Sequence, residues 1–179
     1  MSSLPPAVKF TIEEAEQFYT EWRFNCGPSS LCAVLSVRPE EALRVLPKFK
    51  ERGYTNPKMM RAGLLALGAG VVEMLSEDGP VALTTEAPYP AFGVVRIQWA
   101  GRWTNPGVPV RARYRHSHWI ARAGDHAFDI NCMCVGGWVS WTEWRDQVAP
   151  WLIREIEPKA VGWWPTHCWQ ITPTQGRLL

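Results

Sequence analysis

No run of about 18 apolar residues occurs anywhere in the 179-residue chain, so nothing in it reads as a membrane-spanning helix. Charge of one sign is not in excess either. The net charge of +2 is too small to draw the chain to nucleic acid or to an anionic membrane, and neither is expected as a partner. Internal repeats, low-complexity tracts and dividing linkers are missing, which leaves a single domain over 1–179 as the expected organisation. Met1-Ser2-Ser3-Leu4-Pro5-Pro6 leads into an acidic, helix-like stretch rather than an apolar one, so no secretory leader is expected. The cysteines, Cys26, Cys32, Cys132, Cys134 and Cys168, are odd in number. They are expected as free thiols in a reducing cytoplasm.

What the chain has in abundance is tryptophan. Every Trp except Trp22 lies at or after Trp99, so the C-terminal half should hold an aromatic core or an aromatic-lined cleft. Thr11 and Glu14 have the spacing of a capping box and open a first helix. Pro28 suits the first turn of a second helix beginning at Cys26, Pro39 opens a third, and Asn56-Pro57 opens a fourth that stops near Gly68. From Val71 onward β-branched and aromatic runs dominate. Strands are expected over 71–75, 92–99, 110–114, 119–123, 127–131 and 167–171, with a helix capped by Ser140 or Thr142 before the last. Helices first (about 10–70) and an antiparallel sheet later (about 71–179) make an α+β fold.

Two segments carry chemistry. Asn25-Cys26-Gly27-Pro28 puts a cysteine at a helix start, where unpaired N–H groups and the helix dipole favour its thiolate and could face an oxyanion. A cysteine nucleophile needs an imidazole held by a third polar group. His118 leads the strand Trp119-Ile120-Ala121, with His116 as fallback. If Gly124-Asp125 is a two-residue hairpin loop, Ala123 pairs with His126 and His118 with Asn131, which puts Asp129 and Asn131 on the His118 face. Asp129 is the first choice as orienter because a carboxylate stabilises an imidazolium best. Asn131 is the alternative.

The order Cys, His, Asp/Asn, with the Cys-Gly-Pro-Ser-Ser-Leu and His-Trp-Ile segments, resembles the papain-like cysteine peptidases and most of all their bacterial C39-like branch. The resemblance implies a helical lobe carrying Cys26, a β lobe carrying His118 and Asp129, no cofactor, and cleavage of an amide in a peptide or protein through an acyl-enzyme. Transglutaminases and arylamine acyltransferases share this residue order, and a non-catalytic interaction domain is the rival reading. Where that family has a Gln about six residues before the Cys, this chain has Thr20. Gln17, Trp22, Arg23 and Asn25 are then the candidate second oxyanion donors.

For substrate contacts the sequence offers Trp103 and Trp119 beside a Pro/Gly-rich loop. Arg111, Arg113 and Arg115 alternate at strand period beside His118, a pattern fit for a negative group on the substrate. Cys132-Met133-Cys134 with His167-Cys168 lacks the spacing of common zinc knuckles and is read as packing, not metal.

Overall fold

The computed structural model describes residues 4–46, 48–76, 87–113, 116–155 and 157–172. Helices α1 (Ile12–Trp22), α2 (Cys26–Leu35), α3 (Pro39–Val45), α4 (Phe49–Arg52) and α5 (Pro57–Ala66) come first. Their starts follow local chemistry. The Thr11 hydroxyl accepts the Glu14 N–H at 3.2 Å while the Glu14 carboxylate takes the Thr11 N–H at 2.9 Å, completing the capping box. Asn56 Oδ1 accepts the Met59 N–H ahead of Pro57. Helix α2 is buried through Leu31, Cys32, Ala33 and Val34, as an apolar sequence with no polar stripe demands.

Strands β1 (Gly70–Ser76), β2 (Phe92–Ala100), β3 (Ser117–Ala123), β4 (His126–Phe128), β5 (Trp138–Ser140) and β6 (Gly162–Thr172) form one antiparallel sheet in the order β1-β6-β2-β3-β4-β5. The fold is therefore α+β. The sheet is covered on both faces, so β2 is apolar almost throughout. Val94, Trp119, Ala121 and Trp169 face the helices of the first half, packing with Phe24, Leu31, Met60 and Leu64. Val95, Ile97, Ile120 and Cys168 face Trp144, Ala149 and Leu152. Those last residues lie on one helical run, α7 (Trp141–Glu143), a π turn (Trp144–Val148) and α8 (Ala149–Glu155). Pro150 explains the π turn: it has no N–H and its ring crowds the carbonyl four residues back, so the helix widens there. Pro165 sits in the interior of β6 at a register shift opposite Arg96 and Ile97, where a missing donor is tolerated.

Three expectations are corrected. Residues 110–113 are helical (α6, Val110–Arg113) and not a strand: Pro109 ahead of Ala112 and two arginines, good helix formers, favours a turn over extension. Strand β4 ends at Phe128, because Asp129 turns the chain into a 3₁₀ helix, Ile130–Val135, its carboxylate accepting the Asn131 N–H at 3.0 Å. Cys132 and Cys134 lie on that 3₁₀ helix, Cys132 buried and Cys134 exposed, so the expectation of packing fits Cys132 and not Cys134. Among the described residues no helix is long and apolar enough to cross a membrane.

Candidate active site

Cys26 is the first residue of α2. Asn25 caps the helix, its Oδ1 accepting the Gly27 N–H at 3.3 Å while its Nδ2 donates to the Gly53 carbonyl at 2.9 Å. Gly27 allows the close approach of the 54–56 segment: a Cβ there would collide with the Thr55 side chain. Gly27→Ala should lower stability by about 1–3 kcal/mol and slow alkylation of Cys26, read by thermal melting and by labelling rate.

His118 enters from β3, whose pairing with β4 (Ala123 with His126, Ala121 with Phe128) has the register of a two-residue Gly124-Asp125 loop. Beyond Phe128 the two strands part, and Asp129 folds back under His118. The His118 Nε2 to Asp129 Oδ2 distance is 2.9 Å, with Asp129 fully buried. The Trp144 indole N–H donates to the same Oδ2 at 2.9 Å, and the Asn131 backbone and side-chain N–H groups donate to Oδ1 at 3.0 and 2.8 Å. Asn131 thus holds Asp129 and does not itself touch the imidazole. Trp99 stacks beside His118, with ring centroids 6.2 Å apart.

With Nε2 on Asp129, the other ring nitrogen of His118 is left for the hydrogen bond it shares with Cys26. Burial pushes the Cys26 thiol up, but the His118 charge, this hydrogen bond and the Trp119 backbone N–H outweigh it, against an opposing push from Asp129, and hold it below its ordinary value. Burial likewise disfavours the His118 imidazolium, yet Asp129 and Cys26 raise it well above the usual histidine range. Asp129 is lowered: burial opposes its charge, and His118, Trp144 and Asn131 prevail. All three shifts run in the direction that favours a thiolate–imidazolium pair backed by a carboxylate. The other thiols differ. Burial pushes Cys132 and Cys168 each up to about 12 and raises Cys32 well above the ordinary thiol value.

Cys26 and His118 open onto a cleft of about 720 Å³ with mostly apolar walls, including Ile12, Tyr19, Phe24, Ile130 and Met133. Thr20, Asn25 and Asn131 also reach it, as does the exposed Cys134. Most other expected contacts do not. Gln17 bonds to Glu21 at 2.8 Å on the exposed side of α1, and Trp22 stacks on Phe18 beneath Lys50. Arg23 ends α1 in a left-handed conformation and is exposed. Trp119 is core, its indole donating to the Thr55 carbonyl at 2.8 Å. Trp103 packs on His116 and donates to the Trp99 carbonyl, and Arg113 Nε donates to the Val108 carbonyl at 2.9 Å. Because 110–113 is helical, the strand-period alternation of arginines does not exist. Arg115 and the side chain of Arg111 lie outside the described residues. His116 pairs with Glu157 at 2.6 Å, so the fallback imidazole is engaged elsewhere. Among the described residues no three His, Cys, Asp or Glu side chains gather as a metal site.

The parts missed from sequence are Trp144 on the carboxylate and Trp99 beside the imidazole. Both depend on where distant segments pack, and no local pattern marks either. No family model, curated protein or solved structure matches the chain.

Proposed function

We propose that this chain is a cysteine-nucleophile hydrolase of papain-like architecture, cleaving an amide bond in a peptide or protein through an acyl-enzyme. The observation that carries the reading is the line Cys26–His118–Asp129. A lowered thiol stands at a helix start, shares a hydrogen bond with a raised imidazole, and that imidazole rests on a buried carboxylate. Around it, the helical α1–α5 region supplies Cys26 and the sheet region supplies His118 and Asp129, as two papain-like lobes would.

In this reading the Cys26 thiolate attacks the carbonyl carbon, and negative charge builds on the oxygen. The Cys26 backbone N–H, in the first helical turn where no intrahelical acceptor exists, is the donor this reading assigns to it. His118 gives its proton to the departing amine. It then takes one from water, which attacks the thioester and frees the acid and the thiol. Asp129 stabilises the imidazolium and fixes the ring so that the nitrogen opposite Nε2 meets sulfur. The five free thiols suit a reducing cytoplasm.

One observation favours the interaction-domain reading: of the candidate second oxyanion donors only Asn25 reaches the cleft, and its amide is committed to Gly53. A panel of peptide, isopeptide and acyl-amine substrates separates the readings. Turnover by the wild type and none by Cys26→Ala is expected. Equal inertness of the two proteins on the whole panel would favour the non-catalytic domain, and acyl transfer to amines without hydrolysis would favour a transferase.

A further inference from the structure

The Asp129 carboxylate carries two donors on each oxygen. The Asn131 backbone and side-chain N–H groups bond to Oδ1. Oδ2 is shared: His118 Nε2 lies on it at 2.9 Å, and the Trp144 indole N–H donates to it, also at 2.9 Å. Trp144 is fully buried, and two other rings fix its own, Trp141 stacked with centroids 5.4 Å apart and Trp163 edge-on at 5.2 Å. In a close-packed interior the indole cannot leave the carboxylate without displacing these neighbours. Burial alone does not dictate the contact. The indole N–H groups of Trp103, Trp119 and Trp138 donate to backbone carbonyls, and those of Trp164 and Trp169 are buried with no hydrogen-bond partner. Among the described residues Trp144 is the tryptophan whose N–H meets a carboxylate, and it does so on the oxygen that faces the imidazole.

A hydrogen bond to a carboxylate favours its charged form and lowers its affinity for a proton. On Oδ2 that weakens the stabilisation the same oxygen gives to the His118 imidazolium. Indole and imidazole are in this sense competitors for one oxygen. An imidazolium stabilised less strongly is the stronger acid, and in the proposed reaction His118 must protonate the departing amine. The other titratable groups facing this pair are Cys26 from α2 and Cys132 from the 3₁₀ helix, with Glu16 of α1 on the cleft wall. Strand β2 presents the apolar Ile97 and Trp99 to His118. Beside Trp144, Arg145 and Asp146 pair with each other at 2.6 Å, and Glu143 is exposed. Among the described residues none of these groups bonds to Oδ2.

We propose that Trp144 is a positioning residue acting through Asp129: by sharing Oδ2 with His118, its indole N–H limits how strongly the carboxylate holds the imidazolium and keeps His118 an effective acid toward the leaving amine. The inference rests on the proposed function and adds to it a residue that touches neither substrate nor sulfur. Its sign is opposite to that of simple support. A prop for Asp129 would strengthen the hold on the imidazolium, whereas a competitor for Oδ2 weakens it.

The test removes the N–H in two ways in the full chain. Trp144→Phe deletes it with part of the ring, and site-specific replacement of Trp144 by 3-benzothienylalanine deletes it while keeping the shape of the ring. The His118 pKa is read from NMR titration of its ring nitrogens. Loss of the N–H should raise it by about 0.5–1 pH unit, the reverse of the fall expected for Asp129→Asn. On any substrate that the wild type turns over, kcat near neutrality should drop about two- to fourfold with KM unchanged, and the alkaline limb of its pH profile should move up with the His118 pKa. If Trp144→Phe is too unstable to titrate, the benzothienylalanine protein decides. An unchanged His118 pKa there overturns the proposal, because the indole then only fills the core. A lowered one overturns it too, because the indole then only props the carboxylate. The NMR reading needs no turnover. Inertness of the wild type on the whole substrate panel would therefore count against the proposed function and leave the hold of Asp129 on His118 to be judged by the titration.

Discussion

His118→Ala should slow alkylation of Cys26 at pH 7 by about 10²-fold and turnover on any substrate by about 10³-fold. Burial already pushes the thiol up, and the imidazolium is the chief force bringing it down. Without that charge the thiol should titrate above its ordinary value of 9.0, and only about 1% or less would be thiolate at neutral pH. The pH profile separates loss of the charge from collapse of the site. In the variant the alkylation rate should still climb, but only in alkaline solution, and meet the wild-type rate there. A variant that labels like the wild type at pH 7 would remove His118 from the account.

The second large effect is expected at Asp129. Asp129→Ala takes the acceptor from four donors at once: His118 Nε2, the Trp144 indole and both Asn131 N–H groups. A buried imidazolium left without its partner costs about 3–5 kcal/mol, and the orphaned neutral donors add to that. Asp129→Asn keeps the shape and one acceptor, so it should fold better than the alanine variant while still losing the charge. In Asp129→Asn the His118 pKa should fall and the thiolate–imidazolium pair should persist over a narrower range, cut from the alkaline side. Stability against pH follows with opposite signs for the two residues. Asp129, lowered on folding, contributes above its ordinary carboxylate value of 3.8, and that contribution is lost as pH falls through its folded value. His118, raised on folding, contributes fully below 6.5 and loses its contribution as pH rises through its folded value. Urea titrations of the wild type and Asp129→Asn across pH should therefore converge at the acid end and diverge near neutrality. Parallel curves would show that the carboxylate does not support the imidazolium.

How far the sequence reached depended on whether local chemistry or distant packing set each feature. The Cys26 helix start was legible because Asn25 and Pro28 act within one turn of it. The hairpin register was legible because Gly124-Asp125 closes it directly, and that placed His118 and Asp129 on one face. The choice between Asp129 and Asn131 was not. It turns on β4 stopping at Phe128, where Gly137 returns its carbonyl to the Asp129 N–H at 3.0 Å, a contact made across a loop. Residues 110–113 misled because Val and Arg in alternation fit a strand as well as a short helix. Trp119 follows His118 directly on β3 and so faces away from the site to Thr55, while Trp103 lies on a separate 3₁₀ turn and packs on His116.

The most direct measurement of the central claim is the alkylation of the wild-type protein by substoichiometric iodoacetamide, mapped by peptide mass spectrometry from pH 5 to pH 10. Cys26 should take most of the label, with a rate that rises through a midpoint below 9.0 while Cys32, Cys132 and Cys168 stay unmodified in the folded protein. Label concentrated on the exposed Cys134, with Cys26 reacting only above pH 9, would contradict a thiolate–imidazolium pair at this site.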